Sequence, residues 1–219
     1  MAKENKEDTQ TKPTLGYWNI RGLAAPIRYL LSYCGVTFED KMYSVTDGPE
    51  FDRKEWLSVK ETLGFEYPNL PYLIDGETKI TESKAIMKYI ARKWRPALVG
   101  TTSAEMARIE MLDQHVSTLK SNVTKACYTD GDREAIIKDS RPLLAKIMEV
   151  KGTDKFIAGA NLSWLDFSFA ELLDLLDKAS EGVFYTEFPA AKEYFETVVA
   201  LPGLAEYWKT CMKAPFNNK

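Results

Sequence analysis

The chain has 219 residues, of which 45% are hydrophobic and 28% charged, the mixture of an ordinary globular protein of one or two domains. Disorder, a collagen-like repeat and a coiled-coil rod are excluded as descriptions of the whole. Lys and Arg number 29 against 32 Asp and Glu, a net charge of -3 that supplies no basic field for a nucleic-acid backbone.

No apolar run approaches the roughly 20 residues of a membrane helix, so neither nucleic acid nor membrane is expected as a partner. Cys34, Cys127 and Cys211 stand far apart, which excludes a local CxxC pair or zinc knuckle, and the single histidine, His115, excludes a His-rich metal site. No metal site is therefore expected. The first residues are polar, with no signal-peptide core. They are read as a disordered tail over 1–13 of a cytoplasmic protein.

The first structured piece, residues 14–20, is short and aromatic, a strand pattern. Leu23, Ile27, Leu30, Leu31 and Cys34 follow at helical spacing, with Pro26 in the first turn and Gly35 at the end. Residues 36–44 read as a second strand and 51–60 as a short helix. Two short strands, 71–74 and 77–80, flank Asp75-Gly76, a pair that tight hairpin turns favour. Ala85, Ile86, Tyr89, Ile90 and Lys93 then give a helix. This order fits a small α/β sandwich with the hairpin at one edge of its sheet.

Residues 95–102 read as a linker, after which the pattern becomes all-helical to residue 219. Ile109, Leu112, Val116, Leu119 and Val123 mark a long helix. Residues 136–148 mark another, which Pro142 should bend or split. Ser163 and Asp166 have the spacing of a capping box and open a third. Residues 192–208 add helix broken at Pro202-Gly203. The division expected is 14–94, a linker at 95–102, and 103–219.

In open α/β sheets ligands gather beyond the carboxyl ends of strands. Tyr17-Trp18 running into Arg21-Gly22, Asn69-Leu70-Pro71, and Glu82-Ser83 stand at such places. A helix start offers unpaired N–H groups to a carboxylate, while a carboxylate such as Glu82 suits an ammonium. One helix start thus has groups for both charges of an α-amino acid. Each group alone also fits a packing or capping role.

Taken together, LGYWNIRGL at 15–23, FDRKEWL at 51–57, LGFEYPNLPYLIDG at 63–76, KITESKAI at 79–86 and SWLDF at 163–167 resemble the cytosolic glutathione transferases, most of all the mu class. The resemblance is dense over residues 14–94 and sparser beyond. It implies a thioredoxin-like α/β N-terminal domain, an all-α C-terminal domain that contributes the electrophile pocket, and a homodimer. It implies conjugation of reduced glutathione, as co-substrate and with no other cofactor, to small hydrophobic electrophiles in detoxification.

Carried over by position, Tyr17 is the catalytic hydroxyl, and Trp18, Arg53, Trp56, Lys60, Asn69, Leu70, Pro71, Glu82 and Ser83 join it in the glutathione site. Pro71 is expected after a cis peptide bond, Tyr67 as a dimer contact and Tyr128 as an electrophile-binding group. Residues 46–51 resemble the loop that marks the mu class. Departures are Glu82, where mu enzymes carry Gln, Thr118, where they lend an Asp to the partner, and an end at Lys219 that resembles the short sigma tail and implies an open pocket. A glutathione-dependent isomerase of prostanoid or ketosteroid type, and a non-catalytic hydrophobe-binding or structural relative, are the alternatives.

Overall fold

The computed structural model describes residues 12–45, 52–128 and 133–211, the side chains at 125–128, 133, 135–137 and 211 excepted. The expected tail up to residue 11 and the loop at 46–51 lie outside the described residues, as does the end at 212–219.

The first half is one mixed sheet with helices packed on it. Strands β1 (Thr14–Trp18), β2 (Glu39–Tyr43), β3 (Tyr72–Asp75) and β4 (Thr78–Thr81) lie in the order β2-β1-β3-β4. Helix α1 (Ala25–Tyr33) crosses between β1 and β2, which pair in parallel, whereas β3 is antiparallel to both β1 and β4. Helix α2 (Lys54–Leu57) precedes β3, and α3 (Ser83–Trp94) follows β4. The hairpin is at the edge, as expected, but shifted by one residue. Asp75 pairs with Thr78, so the turn is Gly76-Glu77. Gly76 has φ +61, a conformation that a side chain disfavours and that a two-residue turn needs at its first position.

The second half is helical: α4 (Ser103–Tyr128), α5 (Arg133–Lys151), α6 (Trp164–Ala179), α7 (Val183–Glu187), α8 (Pro189–Val199) and α9 (Leu204–Cys211). The expected linker is not extended. Its Pro96–Val99 segment forms a turn of 3-10 helix that buries Leu98. Ile109, Leu112, Val116, Leu119 and Val123 are all buried on one face of α4, as their spacing requires. Pro142 does not split α5, which runs on from Arg133 to Lys151. A proline inside a helix costs about 3 kcal/mol, and here burial of Leu144 and Ile147, beyond the proline, favours the continuous form.

Helix α6 is the central element and packs against α1, α4 and α8. Its start is tied down by a buried carboxylate. Asp166 Oδ2 accepts the Ser163 N–H at 2.8 Å and the Ser163 hydroxyl at 2.7 Å, and Oδ1 accepts the Ile157 N–H at 2.8 Å and the Tyr194 hydroxyl at 2.7 Å. One side chain therefore joins the preceding loop, the helix start and α8. Asp166→Ala leaves all these donors buried without an acceptor. It should destabilise the protein by at least about 3 kcal/mol, against about 1 kcal/mol for Ser163→Ala. Equilibrium urea unfolding of the three proteins checks the ranking.

Candidate active site

The strand register gathers the candidate residues at one end of the sheet. Gly16 of β1 stands opposite Tyr72 of β3, and Tyr72 stands opposite Thr81 of β4. The end of β1 with Tyr17 and Trp18, the approach to β3 with Asn69, Leu70 and Pro71, and the step from β4 to α3 with Glu82 and Ser83 therefore converge. Helix α2 joins them through Trp56, which is 5% exposed. Its ring stacks on Tyr72 at 6.0 Å and meets the edge of Tyr43 at 5.3 Å. Trp56 is thus a core ring that holds α2 to the sheet, with Arg53 exposed at the start of the helix. Lys60, half-buried, lies 3.8 Å from Glu61.

Tyr17 is 6% exposed, yet its hydroxyl is engaged in a particular way. Its oxygen accepts the backbone N–H of Leu23 at 3.1 Å, and its own proton has no acceptor among the described residues. Burial raises the Tyr17 pKa above 10.0, against the pull of the Leu23 N–H and the Arg28 charge. The group therefore stays protonated at neutral pH and can donate.

The loop that delivers the Leu23 N–H is held from several sides. Arg28 donates to the Ile20 carbonyl at 2.8 Å and grips Asp40 of β2 with two bonds. Arg21 is fully buried and pairs with Glu171 and Asp174 of α6, with the Trp208 ring against its guanidinium. Burial disfavours the Arg21 charge, but Glu171, Tyr29 and Asp174 more than restore it. Tyr29 also donates to Glu171 at 2.6 Å.

Two backbone features shape the neighbouring segments. The Leu70–Pro71 peptide is cis, and the Leu70 N–H bonds to the Asn69 side chain at 2.9 Å. Glu82 has φ +69 and ψ 112, a sparsely populated conformation for a residue with a side chain. Outliers of this kind cluster where a site must be held in one geometry. Glu82 is exposed and Ser83 half-buried at the first turn of α3, whose N–H groups have no helical partner there.

Beside this end of the sheet lies a cavity of about 460 Å³. Leu23, Pro26, Met87 and Val116 supply apolar wall, and Ser83 places the start of α3 on its rim. The remaining lining is polar and comes mostly from one face of α4. Leu23, whose N–H the Tyr17 oxygen accepts, thus stands in the wall of this cavity. Cys34 is no ready nucleophile: burial, opposed by Arg95, pushes its thiol up to about 11, far from the thiolate form.

The side chain of Tyr128 lies outside the described residues, although α4 carries its backbone on from Thr124, which lines the cavity. Tyr67 is 78% exposed, away from the cavity lining. Thr118 is exposed and donates to the Gln114 carbonyl at 3.1 Å, while the nearby Asp113 is buried against Lys84 at 2.7 Å. Sequence reasoning missed the roles of Arg28, Glu171 and Asp174. The signal was available in Glu171 and Asp174, acids inside the apolar run of α6, which require a buried cation.

Gly22 has φ +42, and a Cβ there would stand 2.7 Å from the Tyr17 oxygen. Gly22→Ala should therefore cost about 1–3 kcal/mol of stability through backbone strain and overpacking. It should also displace the Tyr17 hydroxyl. Thermal unfolding measures the first effect, and a crystal structure of the variant the second.

Comparison with known proteins gives the family of the chain. Residues 13–92 match the family model described as glutathione S-transferase, N-terminal domain, and residues 118–210 match glutathione S-transferase, C-terminal domain. The chain is 40% identical to a glutathione S-transferase of Dermatophagoides pteronyssinus, the match covering 94% of each chain. It is 37% identical to glutathione S-transferase Mu 4 of Mus musculus over 94% of this chain and 95% of that one. Among solved structures it is similar to the pi-class glutathione S-transferase of Onchocerca volvulus, with a TM-score of 0.81, 28% identity, and coverage of 94% of this chain and 98% of that one. The thioredoxin-like sheet, the helical second half and these matches together make the chain a member of the glutathione S-transferase family.

Proposed function

We propose that the protein joins the sulfur of reduced glutathione to small hydrophobic electrophiles, a detoxification reaction in the cytoplasm. Tyr17 holds the sulfur as thiolate, and no cofactor beyond the glutathione co-substrate takes part. The observation that carries this reading is the Tyr17 hydroxyl, whose oxygen accepts the Leu23 N–H and whose proton remains to be given.

A free thiol has a pKa near ~8.5 and is mostly protonated at neutral pH. Lowering that by about two units takes roughly 2.7 kcal/mol of preference for the anion. A hydrogen bond to a charged group contributes about 1.5–3 kcal/mol, so one phenol is of the right size. The thiol proton leaves to solvent, and the thiolate attacks the electrophilic carbon to form a C–S bond. With an aryl chloride the C–Cl bond breaks and chloride departs with its electron pair. The protein forms no covalent bond. Its contribution is an oriented dipole at the developing charge balance.

The anchors follow the chemistry of the tripeptide. The start of α3 suits the γ-glutamyl carboxylate, with Ser83 and its N–H as donors and Glu82 as partner for the ammonium. The Leu70 backbone, turned by the bond to Pro71 and braced by Asn69, pairs with the cysteinyl unit. Arg53 and Lys60, with Trp18 and Trp56 beside them, take the glycyl carboxylate. Mu-class character is supported by the identity to the mouse Mu 4 protein. We assign Tyr128 to the electrophile side.

A homodimer belongs to the same reading. Tyr67 is an aromatic ring 78% exposed, a large apolar group that association would cover. Tyr67→Ala should shift sedimentation velocity toward the monomer, and an unchanged dimer would remove Tyr67 from the interface. For the chemistry, Tyr17→Phe should lower kcat/KM with a chloronitrobenzene by about ten- to a hundredfold. It should also raise the pKa of enzyme-bound glutathione by about one to two units, read from thiolate absorbance. Unaltered turnover in Tyr17→Phe would overturn the assignment.

A further inference from the structure

Most of the cavity surface is apolar, yet its α4 wall carries a row of polar side chains. Along the α4 face, Ser117, Lys120, Ser121 and Thr124 line it at helical spacing, and Lys84 and Asp113 close one side. The charges near Lys120 are otherwise mutually satisfied. Lys84 pairs with Asp113 at 2.7 Å, and Glu171 is taken by Arg21 and by Tyr29 at 2.6 Å. Asp174 is shared by Arg21 at 2.7 Å and Lys178 at 3.1 Å. Lys120, half-buried, has no ion pair and no side-chain hydrogen bond among the described residues, and neither does the Ser121 hydroxyl.

A cation withdrawn from water without a partner is unfavourable. Burial accordingly lowers the Lys120 pKa, and the Lys84 charge adds to this, while Glu171 and Asp113 only partly oppose it. An anion entering the cavity would give such a group the partner it lacks among the described residues.

Resting on the conjugation reading, the geometry points to a second substrate that bears an anionic group, a carboxylate, which Lys120 and Ser121 bind on the α4 wall while the Tyr17 side holds the sulfur. The apolar patch of Leu23, Pro26 and Met87 then takes the rest of the electrophile. The preferred class is an electrophile with a carboxylate at one end, in place of an uncharged hydrophobe.

The test is calorimetric titration of the full-length protein with glutathione and with two S-substituted glutathiones. The two substituents are the same length and end in a carboxylate or a carboxamide. Wild type should bind the carboxylate conjugate at least about tenfold more tightly than the carboxamide. Lys120→Met should bring the ratio to about one, and Lys120→Arg should keep it. Turnover of a chloronitrobenzoate against its amide should follow the same order. Equal affinity of the two conjugates in wild type, with glutathione itself bound, overturns this inference alone. So does a preference that survives Lys120→Met. Failure of wild type to bind glutathione overturns the conjugation reading, and this inference with it. The wild-type comparison stands without any variant, so poor folding of Lys120→Met does not remove the test.

Discussion

A tyrosine hydroxyl has one proton to give and lone pairs to receive, and at the end of β1 the backbone N–H of Leu23 occupies a lone pair. This bond settles the direction of the remaining proton. A buried Tyr17 without it would be free to spend its proton on the nearest carbonyl, as buried phenols generally find some partner. Accepting from the loop, it keeps a donor available at the surface of the sheet end. Desolvation reinforces the effect, because it disfavours the phenolate and keeps the donor protonated.

The bond depends on where residues 19–24 run, and both halves of the molecule hold them there. From the sheet side, Asn19 donates to the Tyr43 carbonyl at 2.9 Å, and Arg28 donates to the Ile20 carbonyl at 2.8 Å. From the helical side, α6 brings Glu171 and Asp174 to Arg21. Buried ion pairs are poor sources of net stability, because desolvation offsets much of the attraction. Their geometry is nevertheless demanding, since removing either partner leaves an uncompensated charge in the interior. The Arg21 network is therefore best understood as a positional constraint. Because Asp166 anchors the start of α6, the helical half is fixed before it reaches across to the loop.

Much of this was legible in the sequence where a local rule decides the outcome. Aromatic-rich composition marked β1, the Asp75-Gly76 pair marked the hairpin, helical spacing marked α1 and α4, and the Ser163–Asp166 spacing marked the start of α6. The hairpin turn was read one residue early, because Asp-Gly signals a turn without stating which residues close the ladder. Of the bend or split expected at Pro142, the split does not occur, because a local cost of about 3 kcal/mol is within the reach of tertiary packing. The convergence of Tyr17, Leu70 and Glu82 at one sheet end had no local signal beyond their places at strand ends. It follows from strand order and register, which bring together residues far apart along the chain. The resemblance to a family carried those residues where periodicity left packing and binding roles open.

The two sides of the site differ in how strictly the chain specifies them. On the sheet side, beside the side chains of Tyr17, Arg53, Lys60, Glu82 and Ser83, several contacts proposed for glutathione come from backbone, at the peptide before Pro71 and the N–H groups at the start of α3. Groups of this kind depend on strand register and change little when single side chains change. On the α4 side the wall is built from side chains, one or two to each turn of the helix. Ser117, Ser121 and Thr124 are small and line the cavity beside Lys120. Under the proposed reaction, the co-substrate would be held in good part by architecture and the electrophile by composition. A charge on the α4 wall would then alter which second molecule enters without disturbing the phenol proposed to prepare the first.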